Sequence, residues 1–127
     1  MRMKHKEEVI KLGIVGAGGK MGQAIAKLAM HNSSVSINGA SEYTKHKLIG
    51  KEMGNVLGEA SINVYVSDNM QSFFNNLDVV IEFGLEEATI KFVKEASKRN
   101  VAFISGSTGL SNETIKLLKK HSKKIPI

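Results

Sequence analysis

No cysteine or tryptophan occurs in this sequence, and proline occurs once, at Pro126. Without cysteine the fold has neither disulfides nor thiolate metal sites, a composition that suits a reducing compartment. No apolar run approaches the roughly 18 residues a membrane-spanning helix needs. The charged opening MRMKHKEEV has no apolar stretch behind it of the kind a secretory leader carries. A soluble, cytoplasmic protein with no membrane partner is therefore expected. Repeats and low-complexity tracts are also absent. Arginine occurs only twice, as Arg2 and Arg99, and aromatics make up 6% of the chain. Side chains that read or stack on nucleic-acid bases are accordingly scarce.

What is present fits one globular domain: 127 residues, 42% of them hydrophobic, enough for a single core. Residues 1–10 read as a solvated, flexible tail and 11–127 as the domain. The net charge is +6, from 18 basic and 12 acidic residues. Much of the excess lies in KLLKKHSKK, residues 116–124. There the helical repeat turns Ile115 and Leu118 inward and leaves the lysines as an exposed face, and lysines in a last turn suit the helix dipole. No nucleic-acid partner is expected from this charge.

Apolar runs alternate with amphipathic stretches along the chain. Strands are expected at 12–15, 35–40, 78–83 and 101–105, with INVYV following a polar segment at 41–61. Helices are expected at 21–30, with Ile25, Leu28 and Ala29 on one face, over SDNMQSFFNN opened by Ser67 or Asp68, at 86–99, and after a capping Ser111 up to IPI. Strand–helix alternation implies crossover units and a parallel sheet. Continuous apolar runs such as Val79, Val80 and Ile81 suit strands covered on both faces. The expected fold class is α/β, a doubly wound, Rossmann-like parallel sheet.

Within that order, GAGGKMG at 16–22 occupies the turn from the first strand into the first helix. Glycine is a poor strand and helix residue, so its clustering here points to a special turn. Gly16 can make the tight turn, Gly18 or Gly19 can let backbone approach a pyrophosphate, and Gly22 can let the helix pack closely. The open N–H groups at the start of that helix and its positive dipole end then suit phosphates. The spacing is G-x-x-G-x-x-G through Gly16, Gly19 and Gly22, with Gly18 added. About 20 positions on, where an acid grips the ribose hydroxyls of such a ligand, stands Glu42, followed by Tyr43. Glu42 repels the extra phosphate of NADP, and Tyr43 offers a ring but no charge, although Lys45 or Lys47 can reach round. NADH is therefore favoured, with NADPH the alternative. Beyond the fourth and fifth strands, EFGLEEAT and SGSTGLS land on the same carboxyl-end rim. The small side chains and free N–H groups of Gly106, Ser107, Thr108 and Gly109 suit hydrogen bonding to an amide such as the nicotinamide carboxamide.

Taken together, GAGGKMG, GASEY, DVVIEF and GSTGLS resemble the 4-hydroxy-tetrahydrodipicolinate reductases, also called dihydrodipicolinate reductases, from Lys11 onward. The resemblance implies that Gly16, Ala17, Gly18, Gly19, Lys20 and Met21 bind cofactor phosphates and Glu42 the adenosine ribose. It also implies that Phe83, Gly106, Ser107 and Thr108 lie toward the nicotinamide. The family's D-F-T stands here as Glu82, Phe83 and Gly84, and its G-T-T-G as Gly106, Ser107, Thr108 and Gly109. Where many members carry an arginine for the NADP phosphate, this sequence has Tyr43.

The resemblance further implies hydride transfer from a nicotinamide to a cyclic imine in lysine and diaminopimelate biosynthesis, by a homo-oligomer. Its catalytic residues, a His-His and a downstream lysine, belong to a C-terminal domain with no counterpart here. His5, His31, His46 and His121 are scattered and read as surface histidines. A cofactor-binding fragment, inactive alone and without catalytic or metal-binding residues, is expected. Two other readings share parts of this pattern. A short-chain dehydrogenase would use Tyr-x-x-x-Lys, matched by Tyr43 and Lys47, but that pair lies at the adenosine end. An NAD(H)-sensing regulator would need no catalytic residues.

Overall fold

The computed structural model describes residues 8–127; His5 and most of the expected tail lie outside them. The tail reading is shortened, because β1 already begins at Ile10 (Ile10–Val15). Next come α1 (Lys20–Met30), β2 (Val35–Ser41), α2 (Met53–Val56), β3 (Val66–Ser67) and α3 (Met70–Phe73). Then follow β4 (Val79–Glu82), α4 (Glu86–Lys98), β5 (Ala102–Ser105) and α5 (Asn112–His121). The strands form one sheet in the order β3-β2-β1-β4-β5. Every strand pair in it is parallel, which is the doubly wound, Rossmann-like arrangement expected. The topology reverses between β1 and β4, so the first strand lies at the centre of the sheet.

A core covers each face. One holds Leu12, Ile14, Ala26, Ala29, Ile37 and Met53 under α1 and α2. The other holds Val15, Phe73, Phe74, Val80, Phe92 and Phe103 under α3 and α4. Phe73 sits at the centre of the second, edge-on to Phe74 at 5.1 Å and to Phe92 at 5.4 Å. Its ring has room because two glycines lie opposite each other on adjacent strands, Gly13 and Gly39. A Cβ on Gly13 would stand 2.7 Å from the ring and one on Gly39 2.7 Å from the Phe73 carbonyl oxygen. Close approach, not turn geometry, places these two glycines in strands.

Three helices depart from the expected faces or caps. α1 buries Gly22, Ala26 and Ala29, whereas Leu28 is 72% exposed. The helix lies so near the sheet that only small residues fit beneath it, and the larger leucine is displaced to the outer side. α3 is capped by neither Ser67 nor Asp68: the Asn69 side chain accepts from the Ser72 N–H, while Ser67 accepts from the Asn69 N–H. In α5 Leu118 packs on the second core as expected, but the fully buried residue is Thr114, and Ile115 is exposed. The cause is Glu86 of α4, which accepts from the N–H and hydroxyl of Ser111 and from the Thr114 hydroxyl. Those hydroxyls also hold the Glu86 carboxyl below its usual range, and they fix the rotation of α5 about its axis. Ser111 caps α5 as expected, and its lysines are exposed.

The 41–61 segment is organised by a second acid. Glu52 accepts from the N–H groups of Asn55 at 3.0 Å, Ile62 at 2.9 Å and Val64 at 3.3 Å. Desolvation opposes its charge, but the N–H groups of Ile62, Asn55, Gly54 and Val64 outweigh that and lower its carboxyl from 4.5 to about 2. A depressed folded-state value contributes stability that is complete above 4.5 and is lost as pH falls toward about 2. The stability gap between the parent and Glu52→Gln, measured by urea unfolding across pH, is therefore expected to be level above pH 4.5 and to shrink below it; a gap constant down to pH 2 would contradict this role. The same assay tests the centre of the second core. Phe73→Ala is expected to cost about 3–5 kcal/mol and Gly39→Ala about 1–3 kcal/mol by overpacking.

Candidate functional site

The carboxyl ends of β1, β2, β4 and β5 form one rim, and the chain's most unusual turn stands at its middle. Gly16 has φ +85°, a conformation that L side chains rarely adopt, and its N–H donates to the Ser41 carbonyl. The turn ends at Gly19, the N-cap of α1, with no side chain bonded to the open end of the helix. A Cβ on Gly22 would stand 2.1 Å from the Gly16 carbonyl oxygen, so only glycine lets the first turn of α1 sit so close. The two alternatives between Gly16 and Gly22 differ. A Cβ on Gly18 would meet the His46 ring at 2.6 Å, whereas one on Gly19 meets only the Gly16 carbonyl oxygen, at 3.6 Å. Space for a ligand therefore lies in front of Gly19. Ala17 is buried beneath the turn, and Lys20 and Met21 are exposed at the start of the helix.

Glu42 follows the last residue of β2, and its Oε2 accepts the Gly18 N–H at 2.8 Å. The carboxylate is thus drawn onto the glycine turn, leaving Oε1 with no protein donor among the described residues. His46 corrects the expectation of surface histidines. Its ring is 15% exposed, and its Nε2 lies 3.9 Å from Glu42 Oε2. The Leu48 N–H donates to its Nδ1, which in the neutral ring leaves the proton on Nε2, facing the glutamate. Tyr43 stands edge-on to His46 at 5.1 Å and is 67% exposed. His31 is exposed, as expected, and His121 is half-buried. Burial, together with Lys120, Lys94 and Lys124, holds the His121 imidazole below its usual range.

On the other side of the turn, Phe83 donates its N–H to the Val15 carbonyl. Its ring packs on Gly106, where a Cβ would be 2.2 Å from it. The loop after β5 differs from expectation in one respect. The Gly106 N–H is taken by the Glu82 carbonyl and the Ser107 N–H by the Ser105 hydroxyl, because the β4–β5 pairing continues into the loop. The Ser107 hydroxyl points inward as well, 2.8 Å from both Glu82 Oε2 and the Gly84 carbonyl oxygen. Thr108 and Gly109 are exposed.

Between the two halves lies a cleft of about 320 Å³ walled by Gly16, Glu42, Tyr43, Gly84, Leu85 and Ala88. Leu85 is 78% exposed despite its apolar side chain. Topology alone put Leu85 within reach of sequence reasoning, since it follows the β4 turn. Asp68 and Lys91, which also line the cleft, carried no such signal, because their places depend on how α3 and α4 dock. Among the described residues there is no helix long and apolar enough to cross a membrane and no cluster of potential metal ligands.

The family model described as dihydrodipicolinate reductase, N-terminus, matches residues 10–127. The chain is 30% identical over its whole length to a 4-hydroxy-tetrahydrodipicolinate reductase of Psychrobacter arcticus, covering 46% of that protein. It is 35% identical over 93% of its length to the reductase of a Wolbachia from Brugia malayi, covering 44% of it. The chain thus spans less than half the length of these relatives. A dipicolinate-bound dihydrodipicolinate reductase from Paenisporosarcina sp. TG-14 shares the fold, with a TM-score of 0.68 and 24% identity over 90% of this chain and 43% of that one. The glycine turn, the acid after β2 and the rim loops accordingly stand in a chain that belongs to the dihydrodipicolinate reductase family, whose N-terminal part it matches.

Proposed function

We propose that this chain binds a nicotinamide dinucleotide across the carboxyl rim of its sheet, as the cofactor-holding part of an enzyme that reduces 4-hydroxy-tetrahydrodipicolinate, a cyclic imine. The observation that carries this reading is the turn at Gly16, Gly19 and Gly22. It leads into an uncapped helix end with open space in front of Gly19, beside an apolar cleft. Helix N-termini of this kind favour phosphate groups through free N–H donors and the backbone dipole.

Gly19, Lys20 and Met21 would hold the pyrophosphate, the free Oε1 of Glu42, held in place by the Gly18 N–H, the adenosine ribose, and Tyr43 and Leu85 the adenine. Phe83, Gly106, Ser107 and Thr108 would border the nicotinamide. The bound dinucleotide supplies the hydride. This chain contributes position, holding the ring at the sheet edge for a substrate bound by residues outside it. The general acid also lies outside this chain on this reading, so the chain alone turns over no imine.

Gly19 has φ −79° and ψ 172°, an extended conformation that valine adopts freely. Gly19→Val is therefore expected to fold, with only the modest loss of stability of a poorer N-cap, and to lose measurable NADH binding in calorimetry. Undiminished affinity would remove the glycine turn from the site.

NADH is favoured over NADPH on this reading, because Glu42 stands at the ribose and Tyr43 brings no cation. Two like charges at about 4 Å cost on the order of 1–4 kcal/mol between bulk-water and near-surface dielectric limits. Calorimetric titration at two salt concentrations is expected to show NADH binding several-fold to a few hundredfold more tightly, a range that follows from about tenfold per 1.4 kcal/mol. Tyr43→Arg narrows the gap, since a guanidinium engages a phosphate through two hydrogen bonds. Equal or tighter NADPH binding by the parent would show that Lys45 or Lys47 has taken over the phosphate.

A further inference from the structure

Glu82, the last residue of β4, is wholly buried, and no cation pairs with it among the described residues. A buried carboxylate is costly unless its oxygens are satisfied. Here four donors converge on it from different parts of the rim. Oε2 accepts from the Gly84 N–H at 2.6 Å and the Ser107 hydroxyl at 2.8 Å. Oε1 accepts from the Thr89 hydroxyl of α4 and the Ser105 hydroxyl of β5, both at 2.9 Å. One side chain therefore ties the turn after β4, the first turns of α4 and the loop after β5 to a single point. The segments it joins are those whose Phe83 ring and Gly106 backbone pack on each other.

Glu82 thus touches both the Ser107 hydroxyl and the Gly84 N–H, one on each of the two rim loops. Glutamate reaches all four donors at 2.6–2.9 Å; a side chain one methylene shorter is expected to give up part of this set. None of the hydrogen bonds of Glu42, Gly18 or His46, on the far side of the glycine turn, involves Glu82.

We propose that Glu82 is a positioning residue for the nicotinamide end of the cleft: by its reach it fixes Phe83 and the Gly106 to Thr108 loop against each other and leaves the adenosine end untouched. This inference rests on the reading of the cleft as a nicotinamide-dinucleotide site. Its test compares two ligands, NADH and ADP-ribose, the latter keeping the adenosine and pyrophosphate but lacking the nicotinamide.

Calorimetric titration of Glu82→Asp is expected to show NADH affinity reduced about tenfold, the scale of one or two lost buried hydrogen bonds, with ADP-ribose affinity unchanged. The fluorescence gain of bound dihydronicotinamide falls with it. Glu82→Gln keeps the reach: its carbonyl can accept from Gly84 and Ser107 while the Ser105 and Thr89 hydroxyls turn to accept from its amide. It is expected to lie within about threefold of the parent for both ligands, about 0.7 kcal/mol at most. Equal losses for both ligands in Glu82→Asp, or no loss for either, would overturn the proposal, as would Glu82→Gln weakening NADH as much as Glu82→Asp does. If Glu82→Asp does not fold, Ser105→Ala removes a single strut and is read by the same split between ligands. Failure of the parent chain to bind either ligand would instead strike the cofactor reading, whereas equal parent affinity for both would strike this inference alone.

Discussion

The contact between Gly22 of α1 and the carbonyl of Gly16 is the constraint on which the rest of the rim depends. No Cβ fits between them, so the helix starts directly over the end of β1, the central strand. That closeness selects Ala26 and Ala29 as the buried stripe of α1 and pushes Leu28 outward. It also directs the open end of the helix over the point where the strand order reverses, the place where sheets of this architecture form their crevice.

Around this contact, glutamates tie the loops together. Glu42 takes the Gly18 N–H, Glu52 gathers the N–H groups of Asn55, Ile62 and Val64, Glu82 joins the loops after β4 and β5, and Glu86 binds Ser111, the cap of α5. The donors in each case are backbone N–H groups or hydroxyls, not lysine. Hydrogen bonds to a charged acceptor are the stronger kind, and every one of these spans a loop or an element boundary. Among the described residues no lysine or arginine is buried. The lysines of α4 and α5 stand on the outer helices, where they contribute a positive field of the kind that raises the encounter rate with anionic ligands and weakens with salt.

The legible parts of the fold were those written locally. The glycine spacing identified the turn and its helix, Ser111 announced the start of α5, and the uninterrupted run at β4 implied a strand covered on both faces; the same reading fails at β5, an edge strand whose Ile104 is 52% exposed. The position of Glu42 followed from the end of β2. Each of these rests on chemistry between residues a few positions apart, which a sequence states directly.

The remainder depended on distance and rotation. That Leu28 faces water and Ala26 the core follows from how near α1 lies to the sheet, and hydrophobic period alone favours the larger residue. The outward turn of Ile115 is set by Glu86, 29 positions earlier. His46 became part of the glycine turn, and Glu82 became the bracket of the rim, only when strands remote in sequence were laid side by side. The sequence by itself determined the alternation of strands and helices, the class of fold and the glycine turn, because strand, helix and turn preferences act over a few residues; it left α2 unread and set the third strand at 62–66, where the structure has it at Val66–Ser67. The tertiary structure alone decided which acids are satisfied by which loops and which helix faces are buried, because those depend on donors and surfaces that come together only through packing.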